Sequence, residues 1–171
     1  SWSREHLEDT PDRVADLLTA RGYADHLVEI GGEVRVAGHT MEGRLFRVGI
    51  EEPDPEKHAV RLAVELPSGA LATSGNYRNF TVVDGVKHVH TLDPATGKPV
   101  RHTLLSASVI APRCEVADAW ATALMAAGPE RAWELARKNG LDVLLMEAGP
   151  GGTVVERMTE GFRAHVVQGA R

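Results

Sequence analysis

Between residues 26 and 111 the chain is cut into short runs in which apolar residues recur at every second position, and the breaks between the runs are rich in Gly, Pro and Asp. A period of two belongs to strands with one buried face, and most of these breaks are too short for a crossover helix. The runs are 26–30, a pair resumed at Val34 and Val36, then 46–50, 58–66, 70–73, 77–83, 86–90 and 102–111. Gly31 and Gly32 mark a bulge or a close backbone approach inside a bent hairpin. A proline-bearing loop over 52–56 separates the next two runs, which read as an antiparallel pair. Asp84-Gly85 between alternating apolar runs is a strong two-residue hairpin signal.

The pattern changes twice to a helical one. Thr10-Pro11-Asp12 reads as an N-cap followed by proline in the first turn, with Val14, Leu17, Leu18 and Arg21 before Gly22. After Pro112 a stripe of Val116, Trp120, Ala123, Leu124 and Ala127 predicts a second helix, ended by Gly128-Pro129. A third helix spans 130–139 with Gly140 as its stop, and 141–146 returns as an apolar strand. In the tail, Gly149-Pro150-Gly151-Gly152 is a turn, with 154–155 and 162–167 as β candidates. Strands outnumber helices and are mostly hairpin-joined, with helices on one face, which describes an α+β fold. At 171 residues with 43% hydrophobic content, a single domain over 1–171 is expected.

The formal charge of −5 excludes a general nucleic-acid or anionic-membrane surface, because those partners select basic patches. A single cysteine, Cys114, excludes an internal disulfide and reads as a small buried or half-exposed side chain. No apolar run approaches the roughly 18 residues needed for a transmembrane helix. The first residues, SWSREHLEDT, carry no apolar export signal.

Three constellations carry chemistry. Asp118 and Thr122 stand four apart in the second helix, so a carboxylate and a hydroxyl share one face one turn apart. Two oxygen donors at that spacing suit a hard cation such as Mg²⁺, which completes its shell with water and phosphate oxygens. An aspartate favoured by the positive end of a helix is the other reading. His90 closes a strand and precedes the tight turn Asp93-Pro94-Ala95-Thr96-Gly97, which sets its imidazole at a loop mouth as a general base or as a partner of the turn. Thr73-Ser74-Gly75-Asn76 offers two hydroxyls and a glycine where a phosphate or ribityl group could sit, or an ordinary turn. Trp120 reads as core.

The blocks TSGNYRNF (73–80), HTLDPATG (90–97) and ADAWATAL (117–124) resemble, in that order, the ApbE family of flavin transferases. So do DRVADLL (12–18), LVEIGGE (27–33), VGIE (48–51) and SASVIA (106–111), so the resemblance runs over nearly the whole chain. It implies a T-fold-like α+β domain with a mostly antiparallel sheet and helices packed on one face. It also implies FAD as substrate, Mg²⁺, and transfer of FMN to a Thr or Ser hydroxyl of an acceptor flavoprotein with release of AMP. Some relatives instead hydrolyse FAD to FMN and AMP, and a non-catalytic flavin-binding or partner domain is a further alternative. Carried over by position, Asp118 and Thr122 match metal ligands and His90 the histidine that activates the acceptor. Leu92 and Asp93 fall in the same motif, Leu92 at a position that contacts FAD. Thr73, Ser74, Gly75 and Tyr77 match the loop bordering the flavin. An extracytoplasmic location follows from the resemblance alone. Two departures stand out. The family's Lys-Gly segment before the Asp12 block is replaced by residues 2–8 without glycine, and the further amino-terminal part of the family fold is expected to be absent. Ala121 stands where some members carry a second carboxylate.

Overall fold

The computed structural model describes residues 10–54, 59–75 and 102–167 and, as backbone only, 80–83 and 86–89. Its centre is a six-stranded sheet in the order β1-β2-β5-β8-β9-β10, every neighbouring pair antiparallel. The strands are β1 (His26–Ile30), β2 (Glu33–Ala37), β5 (Ser68–Gly75), β8 (Leu104–Ala111), β9 (Asp142–Ala148) and β10 (Val154–Met158). Two ribbons stand apart from it, β3 (Phe46–Glu51) with β4 (Val60–Leu66) and β6 (Phe80–Val83) with β7 (Val86–Val89). The pairing of Val83 with Val86 agrees with the hairpin read from Asp84-Gly85, while that dipeptide lies outside the described residues.

Alternation sorts the strand side chains into two layers. Ala70 and Ala72 of β5, Ala107 and Val109 of β8, and Val143 and Leu145 of β9 face the helices. Leu71, Leu144 and Met146 point the other way and pack beneath Val48, Ile50, Leu62, Val64 and Leu66 of the β3–β4 ribbon. Each such Leu, Met or Val taken out of water contributes about 1.5–3 kcal/mol, so the two layers are the main source of stability.

Three helices cover the first face: α1 (Thr10–Ala20), α2 (Cys114–Ala127) and α3 (Pro129–Lys138). Helix α1 stops in a left-handed Gly22, with Gly22 N–H donating to Thr19 and Tyr23 N–H to Leu18, a pattern that satisfies two end carbonyls. The buried face of α2 differs from the expected stripe. Cys114, Ala117, Ala121, Leu124 and Met125 are buried, while Val116 is exposed and Trp120 is half-buried. The sheet under α2 presents alanines, so small residues of the helix face it and allow a close approach. Trp120 would hold the helix off and packs at the margin of the core instead.

The tail requires a correction. Residues 162–167, expected as a strand, begin in α4 (Glu160–Ala164), and only Val166 bridges to Val64. Thr159 decides this, because its Oγ1 accepts from Phe162 N–H as an N-cap and also from Val143 N–H at 2.9 Å. Helix α4 places Phe162 in the cluster under the β3–β4 ribbon, so the face opposite α1–α3 is closed by that ribbon and one short helix.

Candidate functional site

Helix α2 follows β8 and runs back over β5 and β8, which carries its carboxy-terminal half to the end of the sheet where Gly75 pairs with Ser106. His102 fixes that return. Leu104 N–H donates to its Nδ1 at 3.2 Å, which leaves Nε2–H to donate to the Met125 carbonyl at 2.7 Å, one of the unpaired carbonyls of the helix end. At 100° per residue, Asp118 and Thr122 lie on the flank of α2 opposite Val116 and Trp120. Val116 and Trp120 line a cleft at the corner between β8 and α2, together with Ser68 and Gly69 of β5 and with Leu141 and Asp142 at the start of β9. Asp118 is half-buried and Thr122 exposed.

The end of β5 carries a second candidate segment. Ser74 pairs with Ala107, whose side chain lies in the core under α2, so Ser74 points into the same layer as Asp118 and Thr122. Gly75 follows at the sheet end. Thr73 points to the other face, where its Oγ1 meets the buried Ser108 hydroxyl at 2.8 Å. There it lines a cleft between the sheet and β3, with Leu27, Glu29, Val34, Arg47 and Leu71 among its walls. The structure therefore puts Ser74 in the helix layer, with Asp118 and Thr122 on the helix above that face, and sends Thr73 to the opposite face. His90, Tyr77, Leu92 and Asp93 lie outside the described residues.

Oxygen donors one turn apart on a rigid helix fit Mg²⁺, which uses one or two protein ligands when phosphate oxygens are present. Among the described residues no group of three or more His, Cys, Asp or Glu could hold a metal by itself.

One residue of the helix layer escaped the sequence reading as an individual. Asp12 is 0% exposed, and both of its oxygens accept from the first turn of α2, from Cys114 N–H at 3.0 Å and Glu115 N–H at 3.1 Å. Arg35 Nε at 3.3 Å and Arg113 Nε at 3.7 Å balance its charge. No local pattern signals this, because the partners are about a hundred residues away.

Beside it, burial pushes the Cys114 thiol up to about 12, with the Asp12 charge adding to the shift and Arg35 and Arg113 opposing it. An unfolded thiol releases its proton near 9.0 while the folded one keeps it to about 12. This contribution to stability is whole below 9.0 and is lost as the pH rises toward 12. A disulfide reagent at mildly alkaline pH is expected to leave Cys114 untouched in the folded protein and to label it fully after unfolding in urea. Rapid labelling of the folded form would contradict the burial.

The comparisons with known proteins agree with this architecture. The model of the ApbE family matches residues 10–145. The "FAD:protein FMN transferase" of Escherichia coli (strain K12) is 41% identical over 156 residues, covering 91% of this chain and 44% of that protein. Among solved structures, the flavin transferase ApbE from Vibrio cholerae superposes with a TM-score of 0.79 at 36% identity, covering 91% of this chain and 48% of that one. The apo form of the Pseudomonas stutzeri flavinyl transferase ApbE gives 0.79 at 35%, covering 93% and 49%. The chain thus spans a little under half the length of the relatives it matches. With the family model matching most of its length and the same mixed fold in solved members, this chain belongs to the ApbE family.

Proposed function

We propose that this chain is the part of an FAD:protein FMN transferase that carries the metal ligands and the acceptor-activating histidine. The observation that carries the proposal is the Asp118–Thr122 pair one turn apart on α2, the helix that packs over β5 and β8 in the layer that also receives Ser74. The names of the relatives, transferases that act on FAD and a protein, support the choice of reaction.

Asp118 and Thr122 hold Mg²⁺, which when bound neutralises charge on the FAD diphosphate. Ser74 hydroxyl and the Gly75 backbone approach the phosphates or ribityl chain from the sheet. Tyr77, Leu92 and Asp93 border the flavin. His90 takes the proton of a Thr or Ser hydroxyl on the acceptor flavoprotein. The hydroxyl oxygen bonds to the FMN phosphorus, the bond from that phosphorus to the bridging oxygen breaks, and AMP leaves with that oxygen. An extracytoplasmic location belongs to the same proposal.

Incubation of the protein with FAD, Mg²⁺ and an acceptor domain tests it by AMP release and in-gel flavin fluorescence. Both signals are expected together. AMP without labelled acceptor would replace transfer by hydrolysis, and folded protein that yields no AMP would overturn both. His90→Ala is expected to keep FAD affinity and to slow transfer by about 10²–10⁴-fold, the usual worth of a general base. Unchanged transfer would remove His90 from the role.

A further inference from the structure

Asp12 is the one fully buried carboxylate among the described residues, and it belongs to α1, yet both of its hydrogen bonds go to α2. Helix α2 needs an outside partner. The residue before it is Arg113, which supplies no side-chain cap, so the first N–H groups of α2 would otherwise be unsatisfied in a buried place. In an α-helix the N–H of residue 118 bonds to the carbonyl of residue 114, and that of residue 122 to residue 118. The position of Cys114 therefore passes directly to Asp118 and from there to Thr122.

The rest of α2 is held independently. Ala117, Ala121, Leu124 and Met125 are buried against the sheet, and His102 holds the far end. Loss of the Asp12 clamp would leave the helix docked and loosen its amino-terminal end as far as Asp118. What changes is the height and rotation at Asp118, a small displacement that Mg²⁺ tolerates poorly because it demands near-ideal octahedral geometry, whereas Ca²⁺ accepts flexible coordination.

We infer that Asp12 is a positioning residue for the divalent cation, setting through the first turn of α2 where the Asp118 carboxylate stands and so selecting Mg²⁺ over larger cations. This rests on the reading of Asp118 and Thr122 as the metal ligands. Arg35 and Arg113 flank the buried carboxylate, and Arg113 is tied in turn to Asp16 and Glu115 on the surface.

Calorimetric titration of Mg²⁺ and of Ca²⁺ into the FAD-loaded protein tests the inference, with FAD affinity measured separately in the absence of metal and circular dichroism as the check of fold. Asp12→Asn is expected to lower Mg²⁺ affinity about 10–100-fold, the usual effect of removing a group that orients a ligand, with a smaller loss for Ca²⁺ and none for FAD. Equal losses for Mg²⁺, Ca²⁺ and FAD would reduce Asp12 to a general stabiliser, and wild-type Mg²⁺ affinity would overturn the inference outright. If Asp12→Asn does not fold, Arg113→Gln loosens the same clamp from the partly exposed side and must shift Mg²⁺ affinity in the same direction; no shift overturns the inference. Asp118→Ala separates the two levels. If it retains Mg²⁺ affinity, the ligand assignment has failed; if it loses Mg²⁺ while Asp12→Asn does not, only the positioning role has failed.

Discussion

If the chain works as proposed, Asp118→Ala is expected to lower Mg²⁺-dependent FMN transfer by at least about a hundredfold, since charge stabilisation by a bound metal is worth several kcal/mol and each 1.4 kcal/mol is about a tenfold change in rate. The substitution removes the charged member of the pair and leaves only the Thr122 hydroxyl. Asp118 is half-buried on the flank of α2, and the helix is anchored by Ala117, Ala121, Leu124 and Met125, so the fold is expected to survive. AMP release measured against Mg²⁺ concentration checks it. A variant with the wild-type rate and the wild-type Mg²⁺ dependence would show that the cation sits elsewhere. Loss of thermal stability in parallel with rate would assign the effect to the fold.

Phe162→Ala is expected to cost about 3–5 kcal/mol of stability, the range for removing a buried aromatic and leaving a cavity. Phe162 is 0% exposed among Val34, Val36, Ile50, Leu62, Val64, Leu71, Leu144 and Met146. The five-residue α4 that carries it is far below the length at which a helix is stable in water. Phe162 and the Thr159 cap are what hold α4 in place, and with α4 goes the pairing of residues 165 and 167 to β4. Against a total stability of about 5–15 kcal/mol the loss is large. Urea unfolding gives the answer through its midpoint, and a midpoint within error of wild type would mean that the cluster collapses around the gap.

Both experiments depend on features that differ in how far the sequence announces them. The i, i+4 spacing of Asp118 and Thr122 is a local property of one helix, so it needed only the helical period after Pro112. The site around that pair was less legible. Ser74 and Thr73 read as a single hydroxyl-rich turn, but both continue β5, and the pleat sends them to opposite faces, one toward α2 and one toward Ser108 and the cleft beside β3. The buried face of α2 departs from the stripe of large apolar residues because size and burial do not coincide there. Where a helix lies closely on a sheet of alanines, the small residues are the inner ones.

The order of strands and helices as far as β10, the pairings of β1 with β2 and β3 with β4, the stops at Gly22 and Gly128 and the family itself follow from sequence alone, because each depends on neighbours in the chain or on short ordered blocks. Only the tertiary structure decided that residues 160–164 are helical, because the Thr159 cap is also engaged by Val143 N–H, 16 positions away. It alone showed that Asp12 is a buried charge that completes another helix. A carboxylate in the first turn of an amphipathic helix looks like a solvated one until the N–H groups it serves are brought against it, and chain contacts across about a hundred residues leave no local pattern to read.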